Sequence, residues 1–385
     1  MEEIQRRVDL TKALLRHLLT YIDSEDNDTE EAFQSLIKYI QDKINKSNTK
    51  ILRCLLHFLS NISKNHHRQS NIFPKIEQIL LHFKRDIKNS MSDEDISEIF
   101  HDDIQIYVFL FERKFLLVNK DNFHLFYKGR YINRLRIRYY LYPLIKDSIG
   151  KKKRRRIEKE ISKLCSNFAE FYKKCREGEN DSYLCTLIRN DLVKEFIIHV
   201  NQNNLNTSIE TPSSLFETNR FLNEMKKTTL IEYAAFYGSL KIIRYLNKSR
   251  CIDLTSSMWL YSIHSNNPLM IHFLEEEKVK PPNDSYKECL KEAIKCYHNE
   301  VATYIQTYYI NENEEKVTYN KKDEICINEK VYNEKVCLLA FKYFNFEFIP
   351  LDKSIFAELD LEESQCRISF FLYEVREIIF NKEGL

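Results

Sequence analysis

The sequence predicts an all-α protein in which a helical N-terminal region is followed by an α-solenoid of short helix pairs. Three observations lead there. Through the first half, apolar residues recur at three- and four-residue steps, the stripe of an α-helix. Runs that alternate apolar and polar residues are few and brief, such as Glu347 to Leu351, so strand signal is thin. From about residue 183 a pattern of small and apolar residues repeats.

The first stripes are Ile4, Val8, Leu14, Leu15, Leu18, Leu19 and Ile22, then Phe33, Leu36, Ile37, Ile40 and Ile44, then Ile72, Phe73, Ile76, Ile79, Leu80, Phe83 and Ile87. Polar breaks at Asp23 to Thr29, Lys46 to Thr49 and Ser60 to Ser70 have the length that joins packed helices. Ser92 before Asp93-Glu94-Asp95 reads as an N-cap with carboxylates in the first turn. After Pro143 and Gly150 a charged segment, Lys151 to Glu179, reads as helix through Ile157, Ile161, Leu164 and Phe168.

The repeat emerges when a small residue is taken as origin at Cys185, Ala234, Ser262 and Ala293. Eight residues on stand Val193, Ile242, Met270 and Val301; eleven on, Phe196, Tyr245, Phe273 and Tyr304; twelve on, Ile197, Leu246, Leu274 and Ile305. The small residue lets one helix approach its neighbour while the apolar positions of the next helix bury the other side. A turn is expected about four residues after each origin, at Arg189, Gly238, Asn266 and Tyr297 or the adjacent Asn190 and His298. Glycine and asparagine tolerate the left-handed backbone such turns use. A lone pair of helices cannot cover its apolar face, so several must stack.

The second repeat resembles the ankyrin consensus. Thr229-Leu230-Ile231-Glu232-Tyr233-Ala234-Ala235 stands where ankyrins have TPLHLAA, and Gly238-Ser239-Leu240-Lys241-Ile242-Ile243-Arg244-Tyr245-Leu246 where they have GHLEIVKLL. Leu230 replaces the turn proline and Glu232 the histidine, so a looser start to that helix is expected. The strings NHHRQSNIFPKIEQILLHFKRDIK (65–88), GENDSYLCTLIRNDLVKEFIIHVNQNNL (178–205), TTLIEYAAFYGSLKIIRYL (228–246) and WLYSIHSNNPLMIHFLEEEKV (259–279) resemble a protist, trichomonad-type family of ankyrin-repeat proteins whose domain has no assigned function. The resemblance covers about residues 10 to 345. It implies an α-solenoid with a helical N-terminal region and no assigned enzymatic activity. The expected organisation is a helical N-terminal domain over 1–180, an ankyrin-repeat-like domain of about four units over 181–310 and a helical cap and tail over 311–385. A helix near Lys335 to Phe344 is expected to cap the array, and Leu361 to Phe380 reads as a further amphipathic helix.

Composition narrows the function. Five glycines in 385 residues, no two within six positions, exclude a GxGxxG turn, a phosphate-cradling loop and a nucleophile elbow. Lys plus Arg is 59 and Asp plus Glu 57, so the net charge of +2 gives no global pull toward nucleic acid or membrane, and nucleic acid is not the expected partner. Ten scattered cysteines without a CxxC pair read as reduced thiols. The acidic start Met1-Glu2-Glu3 and the lack of a long apolar window argue against a secretory leader or membrane insertion. The expected location is the cytoplasm.

The resemblance implies a non-enzymatic scaffold that binds protein partners along a concave face. Carried over position by position, that face comprises Met225, Lys226 and Thr228 of the turn with Phe236, Tyr237, His264, Ser265 and Lys295 near the helix ends. Packing under the segment from Asn201 to Lys227 is the competing reading for Phe236 and Tyr237. The run Lys151-Lys152-Lys153-Arg154-Arg155-Arg156 is read first as a solvated linker, since cations oppose the dipole at a helix start, and second as an import signal or phosphate patch. His66-His67, Cys289, Cys296 and His298 lack metal-site spacings and read as structural, so no metal, cofactor or small-molecule substrate is expected. His101 with Asp102-Asp103, and Asp93-Glu94-Asp95, read as caps and solvated charges. The alternative to the scaffold is an enzyme with a site between residues 50 and 150.

Overall fold

The structure is a computed structural model that describes residues 2–25, 27–43, 49–69, 71–117, 133–225, 227–250, 252–311, 336 and 339–348. Every regular element among them is helical; an isolated bridge pairs Glu210 with Thr229. The described residues form two compact units, one from Met1–His67 with Leu254–Leu385 and one from Arg68–Asp253. The expected helix Leu361 to Phe380 lies outside the described residues.

The first unit opens with α1 (Glu2–Asp23), α2 (Thr29–Lys43) and α3 (Thr49–Asn65), with α1 packed on both others. Val8, Leu15, Leu18 and Ile22 of α1 and Leu36 and Ile40 of α2 are buried on the expected stripes. Each such side chain contributes roughly 1.5–3 kcal/mol by leaving water. The break expected from Ser60 is instead the last turn and a half of α3. Ser63 bonds back to the Ser60 carbonyl and Asn65 to that of Asn61, so these polar residues satisfy themselves within a buried helix end.

The second unit begins with α4 (Ile72–His82), α5 (Lys84–Ser90), α6 (Asp93–Phe100) and α7 (Ile104–Glu112). Ser92 makes the expected cap, reinforced into a capping box by Asp95. Helix α7 is buried from Ile104 through Phe111, all round, which fills the core of this segment with side chains. After α8 (Asn133–Tyr140) and α9 (Tyr142–Ile145) comes α10 (Lys151–Leu164), so the basic run is helical and not a linker. Two features offset the dipole cost: Ile157 and Ile161 are buried, and Arg154 and Arg156 pair with Glu158 and Glu160, both at 3.0 Å. Asn167 caps α11 (Phe168–Glu177), and Gly178 ends it at φ +70°.

The repeat region consists of α12 (Tyr183–Arg189) with α13 (Val193–Gln202), α15 (Leu230–Phe236) with α16 (Leu240–Arg250), α17 (Met258–Ser265) with α18 (Pro268–Glu276), and α19 (Lys287–Lys295) with α20 (Asn299–Ile305); α14 is the short Arg220–Glu224. The first two pairs stack within the second unit, and α17 packs on α19 within the first. Each pair turns through a left-handed residue: Asp191 (φ 48°), Gly238 (φ 70°), Asn266 (φ 49°) and Tyr297 (φ 60°). Three fall four residues after the expected origins. In the first pair the turn residue is Asp191 and not Arg189, which makes Leu187, rather than Cys185, the origin in register. The hydrogen bonds agree: Leu192 N to Leu187 O, Ser239 N to Ala234 O and His298 N to Ala293 O all span five residues, as in a Schellman closure.

One bond recurs between consecutive repeats of the same unit. The side chain just after the turn donates to a carbonyl of the preceding repeat: Ser239 Oγ to Ile188 O, His298 Nδ1 to Ile263 O and Asn345 Nδ2 to Ile294 O. Asn345 follows Phe344, itself left-handed at φ 56°, and Asn345 N bonds Ala340 O, so the helix at 339–342 ends as a repeat helix does. The loosened start expected at Glu232 is absent. Thr229 accepts from Glu232 N while the Glu232 carboxylate accepts from Thr229 N at 2.9 Å, a capping box that replaces the proline turn.

Candidate functional site

The structure turns most of the expected partner-facing residues inward. Phe236 is 2% exposed, stacked at 6.0 Å on Phe221 and set edge-on to Tyr237; Thr228 and His264 are buried as well. Tyr237, Met225, Ser265 and Lys295 are half-buried, and Lys226 lies outside the described residues. Packing therefore takes the positions where binding aromatics are expected, because the preceding chain lies against helix α15: Leu230 N bonds Ile209 O and Phe221 stacks on Phe236. Met225 and Thr228 line a polar cleft in the second unit with Arg136, Asn180, Glu217 and Tyr233. Its guanidinium is already committed: Arg136 donates to Glu217 O, to Ser214 O and to Asn223 Oδ1.

Lys151 through Arg156 are all exposed on α10. Successive helical residues point about 100° apart, so these six side chains surround the helix and make no single phosphate-binding face. Tyr139 and Tyr142 donate to Glu160 and Glu158, which locks the acidic partners beneath the run.

The strongest gathering of chemically capable side chains lies in the first unit, among histidines whose sequence spacings read as structural. His66 and His67, just past α3, meet His298 at the turn before α20, with ring centroids 4.3, 5.0 and 5.4 Å apart. His66 Nδ1 lies 2.7 Å from Cys296 O, and since a carbonyl only accepts, Nδ1 carries the proton. Nε2 of His66 is 2.8 Å from Asp23 Oδ1, and His67 Nε2 is 3.7 Å from the same oxygen. His298 likewise donates from Nδ1, to Ile263 O at 2.7 Å; its Nε2 is buried without a hydrogen-bond partner. Burial first, then the neighbouring His66, pushes His67 down to about 4, and the same causes hold His298 well below the usual histidine range. Both rings are neutral at physiological pH.

Beside it sits a second group, His264, Glu292 and Cys296. Its polar atoms satisfy one another. His264 Nε2 donates to Glu292 Oε1 at 2.8 Å, Lys295 donates to the same oxygen at 2.8 Å, and the Cys296 thiol lies 3.6 Å from His264 Nδ1. Burial raises the Cys296 thiol well above its usual range, so it stays protonated and can donate to that nitrogen. Cys289 is buried and belongs to neither group.

Asp23 and Glu292 carried no signal in the sequence, lying 43 and 28 residues from their histidine partners. The His66-His67 doublet and a histidine after a repeat turn were the visible parts. No family model matches the chain, and no curated protein or solved structure matches it.

Proposed function

We propose that the chain is a non-catalytic scaffold that binds a protein partner through its ankyrin-like helix pairs. The observation that carries this reading is the repeated architecture: helix pairs with left-handed turns, joined within each unit by the same side chain-to-carbonyl bond. Such arrays present a row of equivalent positions along an extended surface. With Phe236 and His264 packed inside, the anchors pass to apolar side chains left in solvent on the first pair, Tyr183 (58% exposed) and Ile198 (53%), with Leu192 between the two helices also exposed. Exposed aromatic anchors of this kind supply much of the energy of protein interfaces. We further propose a cytoplasmic location, on the ten scattered cysteines without a CxxC pair; no helix among the described residues is long and apolar enough to cross a membrane.

Proximity labelling in the native cell tests the reading. The wild-type chain should label a defined set of proteins, and a Tyr183→Ala, Ile198→Asp variant of unchanged melting temperature should lose at least one of them. A variant that keeps every partner overturns the assignment of this surface.

A further inference from the structure

We propose that His66, His67 and His298, with Asp23 as fourth donor, form a zinc-binding site in the first unit. Three imidazoles and one carboxylate are the nitrogen and oxygen set that Zn²⁺ accepts in four-coordinate protein sites.

The geometry carries the proposal in three steps. First, the Nδ1 atoms of His66 and His298 are held by the carbonyls of Cys296 and Ile263, which orients both rings with Nε2 turned toward the cluster, that of His298 without a partner and that of His66 against Asp23 Oδ1. Outer hydrogen bonds of this kind orient metal-binding histidines. Second, the ligand atoms of the three histidines lie within 4.8 Å of one another, and Asp23 Oδ1 is 2.8 Å from His66 Nε2 and 3.7 Å from His67 Nε2. Donors of a tetrahedral zinc with bonds of about 2.0–2.1 Å stand about 3.3 Å apart, so side-chain rotations bring the three histidine donors into range, and Asp23 Oδ1, which faces His66 and His67, supplies the fourth. Nε2 of His66 and the Asp23 carboxylate face each other at 2.8 Å and share a cation, a proton on Nε2 or the metal that displaces it.

Third, His298 has an atom its structural role does not use. The inter-repeat bond needs one donor, which Ser239 and Asn345 supply in the other repeats. The imidazole satisfies that bond through Nδ1 and leaves Nε2 buried, unpartnered and beside two more histidines, in a residue 3% exposed. The neighbouring group of His264, Glu292 and Cys296 offers no such vacancy, since Lys295 already neutralises its carboxylate. Asp23 is exposed and His67 partly so, which gives an ion a route in. Four protein donors close the shell, so the metal would be structural, tying the ends of α1 and α3 to the turn before α20.

The test uses the full chain stripped with a chelator and titrated with Zn²⁺ against a chromophoric competitor, alongside His298→Gln, Asp23→Asn, His264→Gln and, as control, His272→Gln, whose side chain is exposed. Wild type should bind one zinc per chain and melt at a higher temperature with zinc. His298→Gln should weaken binding about ten- to a hundredfold and Asp23→Asn about tenfold, with His272→Gln unchanged. Wild-type affinity in His298→Gln, or binding lost in His264→Gln alone, overturns the proposal. So does a wild type that takes up no stoichiometric zinc. Should His298→Gln fail to fold without metal, Co²⁺ substitution of the wild type decides: intense tetrahedral ligand-field bands support the site, and a weak octahedral spectrum or none overturns it.

Discussion

Gly178 ends α11 in the left-handed region at φ +70°, where a Cβ would lie 2.1 Å from Gln105 Nε2 and 2.7 Å from Thr218 Oγ1. Gln105 Nε2 is engaged with Cys175 O, so it cannot retreat without breaking a buried bond. Left-handed backbone costs an L-residue about 1–2 kcal/mol, and the lost hydrogen bond adds about 1 kcal/mol. Gly178→Ala should therefore lower unfolding free energy by roughly 2–3 kcal/mol in a urea titration; an unchanged midpoint would contradict this account. Glu292 supplies a pH-dependent contribution. Burial pushes its carboxyl up, but the hydrogen bond from His264 and the charge of Lys295 outweigh this and hold it at about 2. An unfolded glutamate titrates near 4.3. The stabilisation is thus complete above about pH 5 and disappears as pH falls toward 2, amounting to about 3 kcal/mol. The loss of stability between pH 5 and about pH 3 should be shallower in Glu292→Gln, whose stability at neutral pH is lower.

At the scale of the element, the turns between paired helices do two tasks. Asp191 reverses the chain at φ 48°, and its carboxylate accepts from Lys241 N and Ile242 N at 3.3 and 3.1 Å, capping α16 of the next repeat. A cap of this kind contributes about 1 kcal/mol. Asp191→Ala loses both the cap and a residue tolerant of left-handed backbone, so about 1–2 kcal/mol is expected, while Asp191→Asn keeps an acceptor oxygen and should lose about half as much. Thermal melts of the two variants beside wild type check the ordering; equal losses would assign the effect to something other than the cap. The same turns explain the low glycine count. Asn266, Tyr297 and Phe344 hold positive φ without being glycine, and only Gly238 meets the ankyrin consensus there.

Across the whole molecule, helical class, the stripes of α1 and α2, the Ser92 cap and three of the four turn positions were legible in the residues. Each depends on neighbours within one or two helical turns. The first repeat misled because Cys185 is small and buried, yet the backbone turn puts Leu187 in register, and only the hydrogen bond from Leu192 N reveals it. Phe236 and Tyr237 could be placed only by the chain that packs over them. His66 and His298 are 232 positions apart in sequence, and no local spacing encodes a meeting at that range. By itself, then, the sequence determined a chain of amphipathic helices with capped ends and left-handed turns, since a period of 3.6 residues and the tolerance of single residues for positive φ are local properties. The tertiary structure decided which aromatic side chains face solvent and which histidines share a cluster, because burial and the convergence of donors depend on segments that meet only after the chain has packed.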